Sequence, residues 1–224
     1  MGLMAGTADL LETDRTRARR AKERVTFDGE LAYSVLDEAY VAHVGVATES
    51  GPVVLPMAYG RVEDRLYLHG AAANGLLRAG VEAEVCVTVT ILDGLVMARS
   101  AFHHSMNYRC VVLRGRGRQV TDDAEKAAAL DAIVDHTVPG RSGQARPANA
   151  AELRKTLVIC VPITEGSVKV RGHGAVDDPE DLDLPVWAGV IPLSVAVGKP
   201  TQEPDQPAGL AVPELGSGGR AQPV

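Results

Sequence analysis

Three short stretches carry groups that together suit a flat, phosphate-bearing ligand. Residues 53–59 read Val53-Val54-Leu55-Pro56-Met57-Ala58-Tyr59. Proline cannot donate to a sheet ladder, so backbone groups of Pro56, Met57, Ala58 and Tyr59 are offered to a polar ring edge. A strand over 66–69 ends in His69 and runs into Gly70-Ala71-Ala72-Ala73-Asn74-Gly75. Small residues allow close backbone approach to a phosphate, and His69, Gly70, Asn74 and Gly75 supply donors. Tyr108-Arg109-Cys110-Val111-Val112-Leu113 then opens a long strand. There Arg109 is a fixed positive charge for a phosphate or one half of an ion pair, since a charge beside an apolar run needs a partner. Lys169 and Arg171 alternate with Val168 and Val170 and share a strand face, turned to a cofactor or to solvent.

Other reactive side chains suggest less. His43 sits mid-strand and reads as structural or interfacial. His103 and His104 are adjacent, so on a strand they point to opposite faces and cannot chelate one metal together; one of them could line a substrate pocket. No metal site is expected, and no Ser/His/Asp triad, thiolate pair or carboxylate dyad is evident, so no catalytic residue is assigned. Cys86, Cys110 and Cys160 lack C-x-x-C spacing and read as small buried residues in a reducing compartment. Trp187 suits core or dimer packing, or stacking on a ring.

These groups must be positioned by strands. The chain has 224 residues, 46% hydrophobic but only 4% aromatic, so Val, Leu and Ala must fill a single-domain core. A net charge of −6 disfavours a nucleic-acid partner. Arg114, Arg116 and Arg118 alternate along a strand and share one face, turned to solvent or to a phosphate. The absence of an apolar signal region and of any span of about 18 apolar residues disfavours membrane insertion and predicts a cytoplasmic protein. Strands are expected at 41–48, 53–59, 66–69, 83–91, 95–100, 108–120, 157–163 and 167–171, with a hairpin turn at Asp93-Gly94. Helices are expected at 34–40, at 74–80, from an Asp122/Glu125 cap to His136, and after an Asn149/Glu152 cap. Ala127, Leu130, Ile133 and Val134 would form the apolar face of the third. Eight short strands with hairpin-length links predict a mainly β, mostly antiparallel barrel with flanking helices. Residues 1–24 form an Arg-rich arm, 25–197 the domain, and 198–224 a Pro/Gly-rich disordered tail.

The order of the 53–59 strand, the 66–74 strand and turn, the 108–115 strand and a capped helix resembles the pyridoxamine 5′-phosphate oxidase-like FMN-binding split-barrel family. The nearest branch is the nitroimidazole-resistance type, and the similarity runs over residues 40–193. Ser167-Val168-Lys169-Val170-Arg171-Gly172 and Trp187-Ala188-Gly189-Val190-Ile191-Pro192-Leu193 are also similar to that branch. The resemblance implies a split β-barrel acting as a homodimer, with FMN at the subunit interface and hydride transfer to or from a small-molecule substrate. It implies a cofactor set of Pro56, Met57, Ala58, Tyr59, His69, Gly70, Asn74, Arg109, Cys110, Lys169 and Arg171. Where relatives carry Ser or Thr followed by Arg or Lys, this chain has Asn74-Gly75, with Arg78 the nearest cation, and Cys110 replaces a Ser. The alternatives are a deazaflavin-dependent reductase of the same fold and a non-catalytic flavin- or haem-binding protein. Pyridoxamine phosphate oxidation is disfavoured, because the C-terminal signature of vitamin B6 oxidases is not evident near Trp187.

Overall fold

The computed structural model describes residues 7–207, 209–213 and 222–223. In chain order the elements are β1 (Val25–Thr26), α1 (Gly29–Glu38), β2 (Ala42–Thr48), β3 (Gly51–Met57), β4 (Tyr59–Val62), β5 (Arg65–Ala71) and α2 (Gly75–Gly80). There follow β6 (Glu84–Met97), β7 (Ser105–Arg116), β8 (Arg118–Gln119), α3 (Asp123–Thr137), α4 (Ala150–Lys155), β9 (Thr156–Pro162), β10 (Glu165–Arg171) and β11 (Gly189–Pro192). One antiparallel sheet runs β1-β10-β7-β6-β2-β3, with β11 on the far half of β6; a second runs β4-β5-β9-β8. This is the mainly β, antiparallel architecture with flanking helices that the strand pattern predicts.

Side-chain alternation sets the layers. On β6, Val85, Val87 and Val89 are buried while Cys86 and Thr88 are half-buried and Thr90 exposed. The valines meet Leu36 of α1, Val44 of β2, Leu113 of β7, Leu66 and Leu68 of β5 and Ile159 of β9 in the core between the sheets. The second sheet is buried on both faces: Tyr67 and Val158 point the other way, into a smaller core with Ala129 and Ile133 of α3. That double burial explains why β9 reads as a continuous apolar run. The helix expected at 34–40 begins earlier, at Gly29, because Asp28 caps it by accepting from the Leu31 amide at 2.8 Å, whereas the later helices start at the expected positions. Asn74 accepts from the Leu77 amide at 3.0 Å and Asp122 from the Glu125 amide at 2.8 Å, while Asn149 and Glu152 form a reciprocal capping box.

Four further local expectations are corrected. The expected strand over 53–59 divides at Ala58, where β3 leaves the large sheet and β4 enters the small one. The cause is Tyr59, fully buried, whose hydroxyl donates to the Leu36 carbonyl at 2.6 Å with the Ala39 carbonyl 3.0 Å away. Asp93-Gly94 is a bulge inside one long strand rather than a hairpin turn, because β7 pairs with β6 on both sides of it. The 108–120 strand also divides, β8 joining the second sheet, so Arg114, Arg116 and Arg118 form no common solvated stripe: Arg116 pairs with Glu82 and Arg118 with Glu125. On α3, Leu130 and Ile133 face the smaller core as expected, but Ala129 and His136 are buried with them and Val134 is 39% exposed.

Residues 1–6 of the expected arm, and 208, 214–221 and 224 of the expected tail, lie outside the described residues. Within the arm, Leu10 is buried in the core and its amide donates to the Phe27 carbonyl at 2.7 Å. Among the described residues no helix is long and apolar enough to cross a membrane.

His136 Nε2 lies 2.7 Å from the Ala39 carbonyl; a carbonyl can only accept, so this nitrogen carries the proton. Its ring sits 4.4 Å from that of Tyr59. At Gly60 an added Cβ would lie 2.6 Å from the Ile133 amide nitrogen, so α3 rests directly on the β4 backbone. Tyr59→Phe strips a buried donor from the Leu36 carbonyl and should lower the unfolding free energy by about 1–3 kcal/mol. Urea denaturation with an unchanged m-value would show it, and a loss well under that range would mean the hydroxyl is dispensable.

Candidate functional site

The large sheet turns a face of small and polar side chains away from the core. Pairing aligns Pro56, His43, Thr88, Val112 and Ser167 in one row across it, and Thr90, Cys110 and Lys169 in the next. His43, Thr90 and Lys169 are exposed, and the Thr90 hydroxyl donates to Cys110 Sγ at 3.4 Å. Beyond the edge strand β3, a groove of ≈ 820 Å³ separates the β2–β3 hairpin from α2. Val53, Leu55, Leu76 and Ala79 give it apolar walls, and Thr48, Ser50, Asn74 and Gly75 bring hydroxyl, amide and backbone groups. No cationic side chain lines it.

The structure brings part of the sequence-derived set to this region. Pro56 and Ala58 are exposed at the end of β3, with Met57 half-buried between them. Asn74 borders the groove but spends its side-chain oxygen on the Leu77 amide. Gly70 packs under it, since a Cβ there would lie 2.9 Å from Leu77 Cδ1 and 3.2 Å from Asn74 Nδ2. Cys110 and Lys169 sit together on the outer sheet face. Tyr59 is instead a core residue, as its hydroxyl contacts require.

The three remaining members are each held elsewhere. His69 alternates with the core residues Leu66 and Leu68, on the β5 face that carries Tyr67, and pairs with Val158. Its ring is half-buried, its Nδ1 is buried without a hydrogen-bond partner, and burial pushes its pKa below the ordinary value of 6.5. Arg109 is gripped by two carboxylates: Glu38 takes both terminal nitrogens, and Asp93 accepts from Nε at 3.0 Å and Nη2 at 2.8 Å. These bonds, Glu38 first, push its pKa well above the ordinary value. Arg171 is 4% exposed and donates to Asn107 and to the carbonyls of His173 and Gly174 at 2.7 and 2.9 Å, anchoring the chain beyond β10.

His103 and His104 do not converge: His103 meets Asp178 at 3.1 Å and His104 Nδ1 donates to the Ser100 carbonyl. Among the described residues no cluster of three His, Cys, Asp or Glu is placed to hold a metal ion. Sequence reasoning missed Glu38 and Asp93 as the partners of Arg109, since neither lies near it in the chain. It also missed Lys126, Arg154, Gln119 and Thr156, which line a second concavity with Arg78. Convergence from four separate elements leaves no local spacing signal.

Two antiparallel sheets around one core, with a small-residue outer face and a groove at the β3 edge, form a split barrel of the flavin-binding class. The sequence profile described as pyridoxamine 5′-phosphate oxidase matches residues 28–170, and the chain belongs to that family. Among solved structures it is similar to the flavocytochrome Anf3 from Azotobacter vinelandii, at 39% identity and a TM-score of 0.85, covering 90% of this chain and 94% of that one. It is also similar to the FAD and haem binding protein from Mycobacterium smegmatis, at 36% identity and 0.80, covering 85% and 94%. A candidate 5-nitroimidazole antibiotic resistance protein from Bacteroides thetaiotaomicron matches at 27% and 0.54, covering 65% and 86%. Among curated proteins no match is found.

The lowered pKa of His69 has a signed consequence. Well above the ordinary value of 6.5 the ring is neutral in both the folded and unfolded states and contributes nothing. As the pH falls below that value the unfolded chain takes up a proton before the folded one, so this residue subtracts stability. His69→Gln should therefore flatten the loss of stability on acidification, read from urea midpoints between about pH 8 and pH 5. Parallel profiles for the two proteins would show that His69 titrates alike folded and unfolded.

Proposed function

We propose that this chain is an FMN-dependent oxidoreductase that moves hydride between its flavin and a small molecule. The observation that carries the reading is the groove beside β3, with apolar walls for a tricyclic ring and polar groups from Asn74, Gly75, Thr48 and Ser50 at its margins. The strand edge around Pro56–Ala58 would meet the polar rim of the ring. Bound there, a flavin supplies two-electron redox chemistry, while the chain binds and orients it and keeps water from one face. The working unit is a homodimer, supported by apolar side chains left exposed around the sheet end and β11: Phe102 is 89% exposed, Trp187 64%, Met106 51% and Ile191 44%. The free cysteines suit the reducing cytoplasm, and the acidic charge suits a partner other than nucleic acid.

The test is an absorbance spectrum of the purified protein followed by titration with FMN, FAD and a deazaflavin, read by fluorescence. Bands at about 375 and about 450 nm, and saturable quenching by FMN, are expected. Exclusive binding of the deazaflavin would move the chain to the deazaflavin-dependent reductases. Binding of flavin without turnover by any reductant would make it a non-catalytic carrier.

A second reading adds haem, and His69 favours it. Its desolvated ring stays neutral, the form in which imidazole ligates iron, and its Nδ1 has no partner. Two relatives above 35% identity are a flavocytochrome and an FAD and haem binding protein. Haem titration should give a saturable Soret band that His69→Ala abolishes. A band untouched by that substitution would place the iron on another residue.

A further inference from the structure

On the flank of α2 away from the flavin groove lies a second concavity of ≈ 510 Å³. Arg78 of α2, Lys126 of α3 and Arg154 of α4 line it, together with Gln119 of β8, Thr156 of β9 and Ala72. No carboxylate is among its lining residues, although the protein carries a net charge of −6. Elsewhere arginines such as Arg61, Arg99 and Arg116 each hold an acid. Here Lys126 reaches only the Leu153 carbonyl, at 3.4 Å, and no ion pair of Arg78 or Arg154 occurs among the described residues. Four acids on the surrounding elements already have partners. Glu82 is held by Arg116, Glu125 by Arg118 and the Tyr67 hydroxyl, and Glu152 by Arg146 and the Asn149 amide, while Asp122 accepts from the Glu125 amide.

Three like charges facing one space repel each other unless an anion sits among them. Two guanidinium forks, an ammonium, an amide and a hydroxyl make a donor set for an oxyanion with several oxygens, and guanidinium matches phosphate bidentately. The volume exceeds what one phosphate needs. We propose that this basic pocket binds the diphosphate of an ADP-containing nucleotide. Two sources share that chemistry: the adenylate half of a flavin dinucleotide passing over the Asn74 turn, or a separate dinucleotide that delivers electrons. The site stands independently of the flavin reading, because ADP alone tests it.

The experiment is isothermal titration of the full chain with ADP and inorganic pyrophosphate. It compares wild type, Arg78→Ala/Arg154→Ala and the charge-matched control Arg19→Ala/Arg20→Ala, with circular dichroism to confirm folding. All four positions are exposed, so the substitutions leave the core intact. ADP should bind the wild type, weaken with added salt, and lose affinity on the order of tenfold or more in the pocket variant but not in the control. FMN and FAD titrations of the same proteins assign the source. A selective loss of FAD affinity identifies the flavin dinucleotide, and unchanged flavin binding with lost ADP binding identifies a separate nucleotide. Failure of ADP and pyrophosphate to bind, equal binding by all three proteins, or a change confined to haem affinity would each overturn the proposal.

Discussion

One buried hydroxyl constrains much of this molecule. Tyr59 must reach the carbonyls at the end of α1, and it lies one residue beyond the point where the chain leaves the large sheet. A strand continuing straight past Met57 could not deliver that hydroxyl. With Tyr59 drawn inward, β4 begins in the second sheet and Gly60 offers α3 a bare backbone to rest on. His136 closes the arrangement by donating to the same Ala39 carbonyl. β3 is thereby left as an edge, and the groove opens between that edge and α2. Buried polar groups with full partners specify geometry more sharply than apolar packing does, because every alternative leaves one of them unsatisfied.

The fold was legible wherever a residue's role depends on its near neighbours. The Val85, Val87, Val89 alternation marks an inward face, and Asn74, Asp122 and Asn149 cap their helices through amides two or three residues ahead. It was not legible where a distant partner decides. Asp93-Gly94 has hairpin chemistry, yet β7 pairs on both sides of it and Asp93 turns its carboxylate to Arg109. Likewise 53–59 has the composition of one strand, and only the carbonyls of Leu36 and Ala39 reveal why it is two. The candidate site shares this limit. The β3 edge and the Asn74 turn are local motifs, whereas Arg109 takes its role from Glu38 and Asp93, which stand far from it in the sequence.

Charge is distributed unevenly around α2. One flank faces a groove without a cation, and the other faces three that hold no acid among the described residues. In an acidic protein most of whose other arginines grip carboxylates, such segregation sets different chemistry on either side of six residues. An apolar ring suits the first flank and an anion the second. The Asn74 cap fixes both, because it sets where the helix starts and hence which side chains each flank receives.

The pairing of β5 with β9 bears on how the chain is made. β5 is central to the second sheet, yet its partner arrives only after α2, the long β6–β7 pair, α3 and α4 have been synthesised. Until then the β4–β5 hairpin leaves the β9-facing edge of β5 unpaired. A high-contact-order closure of this kind is slow, and the waiting edge is a template for pairing between chains. A chain truncated ahead of β9 would keep that edge open permanently.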